Sequence, residues 1–167
     1  MTVDELRSKQ RPLKDRYRND PASALLIHES VGTLDEDVSF NVKTKNGTVK
    51  VGLHPYSGGT GKLACSADML LDALVGCAGV TLGSVSTAMG LKIRQCTIRA
   101  EGELDYRGTM AVSKEVPVGF RAISLIYEID SDADDEKLQT LINLTERYCV
   151  VYQTIASSTE IRAFLRR

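Results

Sequence analysis

Two of the four cysteines lie in stretches whose residue spacing predicts helices, and such a thiol pair could carry redox chemistry. Cys77 lies in the long apolar run 66–91, and Cys149 continues an apolar stripe that starts after the acidic cluster 130–136. A reactive pair needs one thiolate that attacks and a second thiol whose Cα lies within about 6 Å. Because both predicted helices direct their thiols into the same core, Cys77 and Cys149 could meet that requirement.

The alternative interpretation is that these cysteines are structural. Free cysteine is among the most buried residue types and commonly packs as a small hydrophobe. Cys65 would lie about 18 Å from Cys77 along one helix, so these two thiols could not easily pair within it. Cys96 falls on the apolar side of a predicted strand and is expected in the core. The pattern alone therefore leaves open whether Cys77 and Cys149 are a redox pair or core filler.

The run 66–91 predicts the central helix of the fold. Ser66 and Asp68 are typical of a helix start, and Gly90 is typical of its end. Seven further residues recur at three- and four-residue steps on the face of Cys77: Leu70, Ala73, Leu74, Val80, Thr81, Ser84 and Ala88. Three glycines leave a strip without Cβ atoms along which another backbone could approach: Gly76, Gly79 and Gly83. We therefore expect this helix to be buried on every side, in part by a second subunit.

The charge-free run 73–91 is long enough for a membrane span, but its composition argues against one. Glycine, serine and threonine dilute its hydrophobicity, and no aromatic belt or basic flank frames it. The net charge of -1 gives no reason to expect nucleic acid or an anionic membrane as a partner. With no signal peptide and irregularly spaced cysteines, we expect reduced thiols in a cytoplasmic protein. No spacing resembles a zinc site, so neither a metal nor a cofactor is expected.

The rest of the chain predicts antiparallel sheet around the central helix. Residues 1–20 are charged and predict an N-terminal arm or a weak amphipathic helix, whereas residues 21–167 predict a single domain. A three-stranded meander is expected from 24–34, 38–44 and 48–53, with Asn46-Gly47 at its second turn. Beyond the helix, the predicted elements are strands at 92–106 and 120–129, a second helix through Cys149 and Tyr152, and a short strand at 159–165. This order is typical of an α+β fold.

That order of elements, with one cysteine in DMLLDALVGCAGVTL and another in ERYCVV, resembles the OsmC/Ohr family of thiol-dependent peroxidases. The resemblance covers residues 25–165 and leaves the first twenty residues outside it. It implies an OsmC-like α+β fold in which antiparallel sheets pack on a long central helix, within an intertwined homodimer. It also implies that Cys77 is the peroxidatic cysteine and Cys149 the resolving one. The implied substrate is a small organic hydroperoxide, the reductant is a dithiol, and the role is oxidative-stress defence.

Several positions depart from the pattern of the family. Asp68 is the acidic residue nearest to the place where the family often carries a glutamate. The family uses an arginine to lower the pKa of the peroxidatic cysteine, whereas the segment before this helix offers only His54 and Lys62. A thiolate needs a nearby cation or an equivalent group, so His54, Lys62 or an arginine of residues 1–20 is the expected substitute. Val150 stands where the family commonly has proline.

Two functions from different classes follow from these observations. The first is the reduction of organic hydroperoxides, with Cys77 and Cys149 as catalytic residues and Asp68 and His54 as further candidates. The second is a non-catalytic dimer of the same fold that binds an apolar ligand or a partner, with structural cysteines. The cysteine pair favours the first function, and the missing arginine favours the second.

Overall fold

The computed structural model describes residues 1–166 and has the α+β architecture that the sequence predicts. Helix α1 spans Val3–Asn19, and a short 3-10 turn follows at Pro21–Ala24. None of the residues of α1 is buried. Residues 1–20 therefore contain a helix, while the separation of this segment from a single following domain stays a prediction.

An antiparallel meander follows, with the three strands in the order β1-β2-β3. These strands are β1 (Val31–Asp35), β2 (Ser39–Thr44) and β3 (Gly47–Val51). The first strand is shorter than predicted, because residues 25–30 form no regular structure. The hairpin turn also lies one residue earlier than predicted: Thr44 pairs with Gly47, which takes a φ of +128° that favours glycine.

Helix α2 spans Ser66–Met89 and ends at Gly90, whose φ of +69° matches the predicted stop signal. Its buried residues form one stripe with four-residue spacing: Leu74, Ala78, Leu82 and Ser86. The stripe passes through Ala78, one residue after Cys77, on which the predicted face was centred. Val80, on that predicted face, is 79% exposed. The single chain therefore covers α2 on one side, and its burial on the other side by a second subunit stays a prediction.

Helix α2 is also long and apolar enough to cross a membrane, when judged by length and composition alone. The chain buries 22% of the most apolar part of this helix. The remainder is exposed to solvent unless another molecule covers it. Core helices of soluble proteins meet the same two criteria, and the expected lack of a membrane partner stays a prediction.

The second half of the chain contains a two-stranded sheet of β4 (Ile93–Leu104) and β5 (Phe120–Ser131). Half-buried and exposed side chains alternate from Gln95 to Leu104 in β4, as the sequence predicts, whereas in β5 the alternation is interrupted at Arg121-Ala122 and at 125–127. Between the strands lies the single-turn helix α3 (Tyr106–Thr109). Within residues 159–166 the structure has no strand, so the predicted final strand is wrong.

The second long helix is interrupted at Cys149. Helix α4 spans Asp135–Tyr148, and helix α5 spans Val150–Ala156. Cys149 itself is extended, with ψ of 112°, and separates the two helices, although its N–H still donates to the Thr145 carbonyl and its carbonyl accepts from the N–H of Gln153. The prediction of one helix that carries Cys149 and Tyr152 in a single stripe is therefore wrong, since the two residues lie on either side of a break.

The described chain divides into two compact units. The thiol unit comprises Met1–Lys9, Ala73–Arg99 and the described residues from Ile126 onward. The meander unit comprises Gln10–Asp72 and Ala100–Leu125. The largest fully buried side chains among the described residues, Leu141, Thr145 and Cys149, belong to the thiol unit.

Candidate active site

Cys77 and Cys149 come together within the thiol unit. Cys77 is half-buried on α2, and Cys149 is fully buried at the junction of α4 and α5. The two thiols lie close enough for each to shift the pKa of the other. All four cysteines of the chain are free thiols. The structure therefore brings together the two cysteines that the sequence analysis selected.

The break at Cys149 places backbone donors at this thiol pair. The N–H of Cys149 donates to the carbonyl of Thr145 (2.9 Å) and so completes α4. Its Sγ accepts a hydrogen bond from the N–H of Tyr152 (3.5 Å) and so caps α5. The first N–H groups of a helix have no carbonyl acceptor within that helix, which leaves those of Val150 and Val151 available to another group. Both N–H groups act on Cys77, whose pKa they lower.

The pKa of the Cys77 thiol lies below its ordinary value. Burial by itself would raise this pKa, because it disfavours the charged thiolate. Four hydrogen-bond donors outweigh the burial: the N–H of Val151, the thiol of Cys149, the N–H of Val150 and the hydroxyl of Thr81. Cys77 is therefore the thiol of this pair that ionises first.

The pKa of Cys149 is shifted in the opposite direction. Burial raises it, and the hydrogen bond and negative charge of Cys77 raise it further, while the N–H of Tyr152 lowers it. Cys149 thus keeps its proton under conditions in which Cys77 loses one. An attacking thiolate beside a protonated thiol is the arrangement that a nucleophile and its resolving partner need.

The donors on Cys77 are neutral groups rather than the side-chain cation expected from the sequence. One residue of the sequence could have indicated these backbone donors. Val150 has an N–H, which a proline at this position would lack. His54 and Lys62 both belong to the meander unit. A role for either residue in the activation of Cys77 stays a prediction.

His54 and Asp68 belong to an aromatic cluster within the meander unit. The His54 ring stacks on Tyr106, with 5.2 Å between ring centroids, and Tyr56 meets both rings edge-on at 5.4 Å. The Nδ1 atom of His54 accepts a hydrogen bond from the N–H of Tyr56 (3.2 Å). Burial raises the pKa of Tyr106, and the negative charges of Cys65 and Asp68 raise it further. The catalytic roles considered for His54 and Asp68 stay predictions.

An apolar cavity of about 370 Å³ also lies in the thiol unit, between α2 and β4. Its lining includes Gly79, Leu82, Gly83, Cys96 and Ile98. Cys96 is half-buried rather than part of the buried core, and burial raises the pKa of its thiol. Among residues 1–166, no group of His, Cys, Asp and Glu side chains could hold a metal ion.

The sequence and the structure were compared with known proteins. The family described as OsmC-like protein matches residues 59–163. Among curated proteins, none matches the sequence significantly. A solved OsmC-like protein from Mycoplasma pneumoniae is 18% identical, with a TM-score of 0.67, over 80% of this chain and 89% of that one.

Two further solved structures are of organic hydroperoxide resistance proteins. That from Elizabethkingia anophelis is 17% identical, with a TM-score of 0.65, over 81% of this chain and 91% of that one. That of Bacillus subtilis, OhrB, is 17% identical, with a TM-score of 0.56, over 81% and 94%. At such identities the likeness is one of fold. Because the family match extends over more than half of the chain, this protein belongs to the OsmC-like family, as a divergent member.

Proposed function

We propose that this protein reduces organic hydroperoxides through the Cys77–Cys149 pair and serves in oxidative-stress defence. The observation that carries the proposal is the contact between the two thiols, whose pKa values are shifted in opposite directions. The fold shared with two organic hydroperoxide resistance proteins supports the same function.

In the first step the Cys77 thiolate attacks the terminal oxygen of the hydroperoxide. The O–O bond breaks, an S–O bond forms, and the alkoxide takes up a proton and leaves as the alcohol. Cys77 is oxidised to the sulfenic acid, and the peroxide is reduced by two electrons. The neutral donors on Cys77 stabilise the attacking thiolate.

In the second step Cys149 resolves the sulfenic acid. Its sulfur attacks the Cys77 sulfur and loses its proton, the S–O bond breaks, and water leaves as the disulfide forms. A dithiol reductant then reopens this disulfide by thiol exchange and is itself oxidised to a disulfide. These steps need no metal or cofactor.

The open surface of α2 supports the proposal that the protein acts as a homodimer. A Cβ atom built at Gly76 or Gly83 would meet no atom within 4 Å, and Val80 is exposed beside them. A second copy could approach this glycine strip closely and bury the apolar side chains around it. We place such a dimer in the cytoplasm, where its thiols would remain reduced between turnovers.

Titration of free thiols tests the proposed reaction. The reduced protein is treated with one equivalent of cumene hydroperoxide, and its free thiols are counted. The wild type should lose two of four thiols, Cys77→Ser should lose none, and Cys149→Ser should accumulate a sulfenic acid that dimedone traps at Cys77. Cys96→Ser is the matched control, and should lose two of its three thiols. Survival of all four wild-type thiols in excess peroxide would contradict the proposal.

The apolar cavity favours a second candidate function, the binding of an apolar ligand by a non-catalytic protein. Its lining of glycines and branched side chains could take an alkyl chain without an unpaired polar contact. Saturable binding of a fluorescent fatty acid, together with thiols inert to peroxide, would favour this function over the peroxidase.

A further inference from the structure

Thr81 differs from the other threonines in the longer helices of this protein. The hydroxyl of each of the others donates to the carbonyl four residues earlier: Thr87 to Gly83 (2.7 Å), Thr140 to Glu136 (2.9 Å), Thr145 to Leu141 (2.7 Å) and Thr154 to Val150 (2.8 Å). The carbonyl four residues before Thr81 is that of Cys77. Within the described part of the chain, Thr81 makes no such bond to it.

The position of Thr81 explains this difference. Residues four apart on a helix lie one above the other, so Thr81 stands one turn beyond Cys77 on α2, and both side chains are half-buried. The Thr81 hydroxyl is also one of the groups that lower the pKa of the Cys77 thiol. A hydroxyl has a single proton to donate, so the one that Thr81 does not give to the carbonyl is available to the neighbouring sulfur.

We propose that Thr81 is a positioning residue for Cys77, whose hydroxyl holds the sulfur in place and donates to its thiolate where a charged group would otherwise act. The proposal rests on the proposed function, in which Cys77 is the reacting thiol. A hydrogen bond to an ionised acceptor is about twice as strong as one between neutral groups, so the Thr81 donor favours the thiolate over the thiol.

Thr81 is also the donor that stays in place throughout the proposed cycle. The thiol of Cys149 stops donating when its sulfur enters the disulfide, and the N–H groups of Val150 and Val151 belong to the segment that carries Cys149. Thr81 instead shares α2 with Cys77. It therefore remains beside the Cys77 sulfur as thiolate, as sulfenic acid and as half of the disulfide.

The test removes the hydroxyl of Thr81 while it keeps the shape of the side chain. The rate of Cys77 alkylation by iodoacetamide is measured against pH in the full chain, with peptide mapping by mass spectrometry to assign the site. Thr81→Val should move the midpoint of this profile upward by about half a pH unit, and so slow alkylation about threefold below the midpoint. Thr81→Ser, which keeps a hydroxyl, should restore the wild-type midpoint.

Thr87→Val is the matched control, because it removes a hydroxyl of the same helix that bonds to the Gly83 carbonyl. Its midpoint should equal that of the wild type. An unchanged midpoint in Thr81→Val, or an equal shift in Thr87→Val, would overturn the proposal. Thr81→Ala, with its high helix propensity, repeats the test if valine disturbs folding as judged by circular dichroism.

Alkylation needs no peroxide, so the two proposals can fail separately. A normal alkylation profile in Thr81→Val, with two thiols lost to peroxide in the wild type, would overturn the role of Thr81 alone. A shifted profile with thiols inert to peroxide would overturn the peroxidase function and leave the Thr81–Cys77 contact standing.

Discussion

The thiol unit and the meander unit each bring cysteine, tyrosine and polar groups together, but these groups face different targets. In the thiol unit, the first N–H groups of α5 and the Thr81 hydroxyl all donate to the sulfur of Cys77. In the meander unit, the charges of Cys65 and Asp68 act on Tyr106, and His54 accepts from a backbone N–H. The two units therefore differ in the group on which their donors act. Donors to a sulfur favour its thiolate, so we expect the direction of the donors, rather than the nearness of reactive residue types, to decide which thiol reacts.

The largest expected effect comes from removing one backbone donor of the thiol unit. Val150→Pro deletes the N–H at the first position of α5, where proline fits a helix well and where the extended Cys149 before it suits proline. The pKa of Cys77 should rise by about one unit, which slows its alkylation at neutral pH about tenfold. The pH profile of Cys77 alkylation measures this shift.

Val150→Ala is the control for this change, because it retains the N–H and loses only a side chain that is 72% exposed. Its pH profile should match that of the wild type. If Val150→Pro also matches the wild type, the α5 donors do not set the reactivity of Cys77 and the contrast between the units fails.

A smaller effect is expected at Tyr127, which also belongs to the thiol unit. Burial, followed by the charge of Glu146, raises the pKa of Tyr127 to about 12, and its buried hydroxyl has no hydrogen-bond partner within the described residues. A buried hydroxyl without a partner destabilises a fold by about 1–3 kcal/mol. Tyr127→Phe should therefore increase the free energy of unfolding by about 1 kcal/mol, as measured by urea denaturation.

Tyr106→Phe offers the comparison in the meander unit, because its hydroxyl is not among the buried groups that lack a partner within the described residues. Its free energy of unfolding should stay within about 0.5 kcal/mol of the wild type. A loss of stability in Tyr127→Phe would show that the Tyr127 hydroxyl has a partner and would remove this difference between the units.

The smallest effect is expected from the aromatic cluster of the meander unit. His54→Asn and Asp68→Asn should each leave the pH midpoint of Cys77 alkylation within about 0.3 unit of the wild type, equivalent to ~0.4 kcal/mol. The reason is that neutral donors of the thiol unit already act on Cys77. A shift of a full pH unit in His54→Asn would instead identify His54 as the activating cation that the sequence analysis sought.

The helices and strands with strong local signals were predictable from the sequence. Ser66 and Gly90 correctly bound α2, because the first helical turn and a positive φ at the end depend on residues close in the chain. The alternation along β4 from Gln95 onward likewise follows from a period of two. The sequence also singled out Cys77 and Cys149, because both fall in the apolar patterns of predicted helices, and the structure places them near each other.

The break at Cys149 could not be predicted in this way. The apolar spacing from Thr145 to Cys149 and on to Tyr152 continues through it as if α4 and α5 were one helix. The extended backbone is stabilised by contacts of Cys149 itself, whose N–H completes one helix while its sulfur caps the next. Periodicity reports which side of an element is apolar, but it does not report where the backbone departs from the helix.

By itself, the sequence determined the order of the strands and long helices from β1 to α4, the ends of the central helix and the choice of Cys77 and Cys149, since each depends on local preference or on side-chain pattern. Tertiary structure decided which donors surround Cys77. The N–H groups of Val150 and Val151 lie more than seventy residues from Cys77 along the chain. They reach its sulfur because folding places the first turn of α5 beside α2 and leaves those groups without carbonyl acceptors.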